Sequence, residues 1–274
     1  MTARAGARSQ GMRFAMPGLF LLVVGCASPA RAAPGATGGP VLVELFTSQG
    51  CSSCPPAERF LGQLPALGFG RDKVIPLTFH VDYWDHLGWP DPFARPQWTA
   101  RQTWYGRRGR LRPAGGGREI AGLYTPQMII NGQTHLPGGE ADVALRELAA
   151  AGGRMRRAAL PLRARISGDD VLVTVDFAAS GGVPVTAEWR LTVALVQKTA
   201  RTQVLRGENG GETLDETALV RVLSPSLPVS HQAVQTSLRR PADLPWANAG
   251  LVAFVQSDAT GEVAAAAGLD VLGR

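Results

Sequence analysis

Two cysteines separated by two residues, in Cys51-Ser52-Ser53-Cys54-Pro55-Pro56, are the part of this 274-residue sequence best suited to chemistry. Such a pair can be a redox dithiol, half of a metal site or a short structural disulfide. Structural zinc needs four ligands, drawn from a second cysteine pair or from closely spaced histidines. The remaining cysteine, Cys26, lies in the N-terminal segment, and His80, His86, His135 and His231 are scattered, so structural zinc is not expected. A bridge that encloses two residues restricts the unfolded chain little, because the entropic gain grows with loop length. That weakens the structural reading and favours thiol–disulfide exchange, which needs no cofactor. At the start of a helix, unpaired amides and the helix dipole would favour the thiolate of Cys51, and Cys54, one turn on and more buried, is suited to resolve a mixed disulfide.

Three further groups could take part. Glu44 sits in the apolar run Val41-Leu42-Val43-Glu44-Leu45-Phe46. A carboxylate buried there would have a raised pKa and could shuttle a proton for Cys54, unless alternation turns it outward. The stretch Phe79-His80-Val81-Asp82-Tyr83-Trp84-Asp85-His86 puts His80, Asp82 and Trp84 on one face if extended. Its imidazole and carboxylates, Asp85 included, could tune a thiol, hydrogen-bond a substrate or hold a metal, or simply cap a loop around an aromatic plug. The arginines at 107, 108, 110, 112 and 118 read as a solvated loop. There is no P-loop, no GxGxxG between strand and helix, and no GxSxG.

The elements that must position these residues follow from spacing. Residues 41–46 are expected as a strand, 57–67 as a helix, 73–80 as a second strand and 92–105 as a helix. Residues 127–130 and 134–136 form strands around Asn131-Gly132, a strong hairpin signal, and 140–151 a helix. Beyond Gly152-Gly153 the pattern changes to seven short strand candidates with turn-rich breaks, the signature of a β-sandwich.

Composition sets the outer limits. The chain is 45% hydrophobic and 18% charged, so it has the means to bury a core. Its net charge of +6 depends on four arginines and no acid in residues 1–32; without them Lys+Arg falls from 28 to 24 against 22 acids, leaving +2. Nucleic acid is therefore not an expected partner. Residues 1–32 read as an export signal, with Arg4, Arg8 and Arg13 before an apolar run and Ala30-Arg31-Ala32 as a cleavage site. The run from 14 to 24 falls short of the ~20 residues that a membrane-crossing helix needs. Val23-Val24-Gly25-Cys26 alternatively resembles a lipobox, which would anchor the chain to a membrane through a lipidated Cys26. Residues 33–40 are a Gly/Pro-rich spacer.

A strand, a loop, CxxC opening a helix, and Thr125-Pro126 directly before a later strand together resemble the thioredoxin superfamily. The resemblance implies an α/β thioredoxin-like domain over residues 41–153, followed by an all-β sandwich over 160–274. It implies Cys51 as nucleophile, Cys54 as resolving thiol, Pro126 as a cis-proline and Thr125 as the residue whose backbone holds substrate. Glu44 stands one residue further from the first cysteine than the superfamily's buried acid. Gly50 replaces its usual tryptophan, and Ser52-Ser53 offer weak hydroxyl hydrogen bonds, so redox direction stays open. With Cys51-x-x-Cys54-Pro55, the stretch from Phe79 to Trp89, Tyr124-Thr125-Pro126 and Arg206-Gly207-Glu208-Asn209-Gly210-Gly211, the chain also resembles a bacterial family of secreted thioredoxin-like proteins of unknown function. The leading expectation is an exported, periplasmic thiol–disulfide oxidoreductase whose partners are protein thiols or disulfides and a redox protein. Its rivals are a Cu(I)-delivery protein using the thiolates with His80, His86 or His135, and a binding module with a structural disulfide.

Overall fold

The structure, a computed structural model, describes residues 1–2, 39–108, 110–117, 122–154, 158–180 and 182–271. The chain divides into two compact units, Met1–Ala30 and Arg31–Arg274, and everything below concerns the second. Residues 3–38, which hold Cys26, most of the segment expected as an export signal and most of the expected spacer, lie outside the described residues, as does Arg118. Among those described, no helix is long and apolar enough to cross a membrane.

The first half contains β1 (Val41–Thr47), α1 (Pro55–Gln63), β2 (Val74–His80), α2 (Pro96–Arg108), β3 (Arg112–Pro113), β4 (Gln127–Ile130), β5 (Thr134–Pro137) and α3 (Ala141–Arg154). Strands follow in the second half: β6 (Leu162–Ser167), β7 (Asp170–Asp176), β8 (Trp189–Gln203), β9 (Thr213–Leu223), β10 (Leu227–Pro228), β11 (Ala233–Arg239), β12 (Ala249–Ser257) and β13 (Val263–Asp270).

The expected partition into an α/β thioredoxin-like domain and a β-sandwich is overturned by the sheet. Ten strands form one mixed sheet in the order β13-β12-β8-β9-β2-β1-β4-β5-β3, with β10 beside β8. Among the described residues, β6, β7 and β11 form a separate three-stranded sheet. The continuity comes from β8 and β9, 15 and 11 residues long, since Leu219 of β9 pairs in parallel with Thr78 of β2. One core crosses this seam: Leu42, Phe46, Phe79, Trp98 and Tyr105 pack with Val196, Val220, Val252 and Phe254. The result is mostly β, with three α-helices among the described residues.

β1 lies centrally, parallel to β2 and antiparallel to β4, and every one of its residues is buried. Its period of two divides the side chains. Val43 and Leu45 pack on Phe60 and Leu61 of α1, whereas Leu42 and Phe46 face Trp98 and Tyr105 of α2. Asn131 and Gly132, at φ 50° and 66°, turn β4 into β5. A side chain on Gly132 would come within 1.8 Å of the Gly261 carbonyl oxygen, so this turn is fixed against the β12–β13 hairpin.

Candidate functional site

The site begins where β1 ends. Residues 48–50 turn the chain back, and Cys51 donates its N–H to the Ser48 carbonyl at 3.1 Å. Cys54 caps α1, with Pro55 and Pro56 in the first turn, where a missing N–H leaves no bond unmade. Cys51 therefore stands in the turn before the cap, and a disulfide joins it to Cys54. Both cysteines are 0% exposed.

What covers them comes from the far half of the sequence. Residues 206–211 form the tip of the β8–β9 hairpin and lie over the turn. The Asn209 amide, itself buried, donates to the carbonyls of Gln49 and Cys51 at 2.8 and 3.0 Å. Glu208 accepts from the Ser52 N–H and hydroxyl at 2.9 and 2.7 Å. Gly207 has φ 80°, and a Cβ there would sit 3.1 Å from the Cβ of Trp89, so glycine lets the loop close onto the 85–91 segment.

Gln49 ties this cover to a buried polar cluster. Its N–H donates to Asp91 Oδ2 at 2.8 Å, and its side-chain oxygen accepts from the Trp89 indole at 2.9 Å. Its amide nitrogen donates to both Glu216 oxygens at 2.9 and 3.0 Å. His80 Nδ1 lies 2.7 Å from Asp91 Oδ2, and Nε2 lies 3.6 Å from Glu216 Oε1. Glu58, one turn along α1 from Cys54, accepts from the Thr47 hydroxyl. Burial alone would lower the His80 pKa, but Asp91, joined by Glu216 and Glu58, outweighs it and the imidazole is pushed up to about 9. Burial raises Glu58, and it pushes Glu216 up to about 7. Burial would raise Asp91 too, yet the neighbouring His80 holds it below the ordinary range.

The residues singled out from sequence fall in several places. The Thr125–Pro126 peptide is cis. Pro126 stands at the α1 face, since a Cβ on Gly138 would meet both the Pro126 Cβ and the Ala57 Cβ. Thr125 Oγ1 accepts from the Trp84 indole at 2.9 Å, and the Trp84 Cβ is the nearest atom to a Cβ built on Gly50. Asp82 accepts from Thr99 and Asp85 from the Asp91 N–H, so both order the segment that leads to α2. Glu44 points to the face opposite α1, where it pairs with Arg101 at 2.5 Å and accepts from Tyr105. His135 Nδ1 lies 2.8 Å from the Tyr124 hydroxyl, and His86 is exposed. Sequence reasoning missed Gln49, Glu58, Asp91 and Glu216. Two signals existed: Glu58 is four residues from Cys54 on a helix, and Glu216 shares the buried parity of Leu214 in β9.

Fold and site together define a mostly β protein with a covered disulfide at the start of a helix. The chain belongs to the family described as "Protein of unknown function (DUF1223)", which matches residues 42–256. It is similar to the crystal structure of protein AGR_C_4864 from Agrobacterium tumefaciens, at 25% identity and a TM-score of 0.60, over 85% of this chain and 95% of that one. HBP35 of Porphyromonas gingivalis gives a TM-score of 0.60 at 11% identity, over 85% of this chain and 76% of that one, a likeness of fold alone. No curated protein matches the chain.

Proposed function

We propose that this protein is an exported thiol–disulfide exchange protein, acting on thiols or disulfides of other proteins through Cys51 and Cys54. The observation that carries the reading is a disulfide too short-looped to add much stability, set at a helix start and covered by its own hydrogen-bonded loop. In the reductive half, a partner thiolate attacks Cys51 Sγ and forms a mixed disulfide. The Cys51–Cys54 bond breaks, and its electron pair leaves on Cys54, which takes up a proton. A second partner thiolate then attacks its own sulfur in the mixed disulfide, and Cys51 leaves as a thiolate that is protonated in turn. Two electrons have passed to this chain, and the partner holds the disulfide. Neither sulfur is accessible, so its cover must open for the first attack, and residues 206–211, hydrogen-bonded over the turn, are the segment proposed to move.

Equilibration in glutathione buffers, with the thiols trapped and weighed, tests the reading. A reversible transition between about −120 and −270 mV is expected, the span of known exchange catalysts. A bridge still closed below about −300 mV would make it structural and end the proposal.

The cover also has an acid-sensitive hold. Hydrogen bonds from Ser52 keep the Glu208 carboxylate below its ordinary pKa. A lowered folded pKa gives a contribution that is present above the unfolded value, about 4, and lost as pH falls through the folded one. Reduction by a phosphine, normalised to an unstructured CxxC peptide, should therefore accelerate as pH drops below about 4. In Glu208→Gln the normalised rate should be flat; an equal acid acceleration there would remove Glu208 from the hold.

A further inference from the structure

We infer that Glu58, His80 and Glu216 form a buried site for one divalent first-row metal ion of the zinc class. One ligand atom from each lies within 4.8 Å of the other two, and all three residues are buried. The second observation is independent of the carboxylates: His80 Nε2, wholly buried, has no hydrogen-bond partner and points among them. Its other nitrogen is held by Asp91, which also accepts from the Gln49 and Phe93 N–H groups. A carboxylate on the second imidazole nitrogen is the arrangement that fixes tautomer and ring orientation in metal-ligating histidines. Glu216 is steadied by Gln49 and Glu58 by Thr47 in the same way.

Charge points in the same direction. Among the described residues, no lysine or arginine forms an ion pair with Glu58, Asp91 or Glu216. One imidazole and two carboxylates, without thiolate, suit Zn²⁺ and, less well, Mn²⁺. Zinc bonds of about 2.0–2.2 Å put neighbouring ligand atoms roughly 3.3–3.6 Å apart in a tetrahedron, and the His80–Glu216 separation is 3.6 Å. The three ligands come from α1, β2 and β9, so the ion would tie the helix of the disulfide to two strands of the central sheet. This does not rest on the exchange reading, because the ligands include neither cysteine.

The test keeps the Cys51–Cys54 disulfide closed and carries Cys26→Ser in every protein compared, so that no thiolate can bind. Full-length oxidised protein is refolded with Zn²⁺ or Mn²⁺, dialysed against buffer with a weak chelator, and its metal measured by mass spectrometry. About one Zn²⁺ per chain is expected, with a melting temperature that rises with Zn²⁺ concentration. His80→Gln and Glu216→Gln should each lose at least tenfold of the retained metal, while His86→Gln, at an exposed imidazole, keeps it. Circular dichroism of the variants separates lost binding from lost folding, and Glu58→Gln gives a third variant if one fails to fold. Less than a tenth of an equivalent in the folded Cys26→Ser parent, or full retention by folded His80→Gln, would overturn the site.

Discussion

Replacing Asn209 with alanine is expected to speed reduction of the Cys51–Cys54 disulfide by about fivefold to a hundredfold. The side chain holds two backbone carbonyls, of Gln49 and of Cys51 itself, from a buried position. A typical intramolecular hydrogen bond contributes a net ~0.5–1.5 kcal/mol, so two contribute about 1–3 kcal/mol to the closed loop. If the loop must open before a reductant reaches either sulfur, the rate scales with the open fraction, and each ~1.4 kcal/mol is tenfold. Phosphine reduction followed by thiol trapping reads this directly, and the melting temperature of the reduced protein reports any general loosening. An unchanged rate in folded Asn209→Ala would mean that residues 206–211 do not gate the disulfide. A rate that fell would mean that Asn209 serves the reaction rather than its cover.

That gate shows what a single sequence can and cannot carry. The CxxC pair, its flanking strand and helix, the Asn131-Gly132 turn and the strands of the second half are each written in local chemistry. Spacing of two or of 3.6 residues, glycine at positive φ and proline in a first helical turn need no distant partner to be read. The single sheet was not legible. It depends on β9 meeting β2 at Thr78 and Leu219, between halves that local patterns separate. The β9 pattern is also broken, by a register shift opposite Leu195 and Val196 and by Ala218 at φ 56°, so its alternation gives no clean face. The polar cluster was hidden for the same reason. Asp91 sits between two prolines with no periodic signal, and Glu216 means little until β9 lies beside α1. Residues 206–211 stood out in sequence as a turn-rich loop, but only the length of β8 and β9 carries that loop over the disulfide.

Glu44 is the residue whose placement changes most between sequence and structure, and it leads to the largest expected loss of stability. Arg101→Met should destabilise the fold by about 3–5 kcal/mol, the cost of leaving a buried carboxylate without its cation. The Arg101 side chain is 14% exposed and pairs with Glu44, which is almost wholly buried. Its guanidinium also donates to Gln256 and lies 5.2–5.6 Å from the ring centres of Phe79, Tyr105 and Phe254. The pair thus bridges β1, α2 and β12, at the core shared by both halves of the chain. Burial, reinforced by Glu44, raises the Tyr105 hydroxyl well above its ordinary range, so Tyr105 stays a proton donor to the carboxylate rather than a second charge. Removing both charges, as Glu44→Leu with Arg101→Met, should cost less than Arg101→Met alone, because two apolar side chains leave no unpaired charge behind. Urea denaturation of the two variants and wild type measures the difference, and a cost below about 1 kcal/mol for Arg101→Met would place the pair among weak surface bridges. A further variant, Glu44→Gln, decides what Glu44 does. It lies on the face of β1 opposite α1, so Glu44→Gln should lower stability and leave the pH profile of disulfide exchange unmoved in the folded protein. A shifted profile at unchanged stability would instead give Glu44 the proton of Cys54.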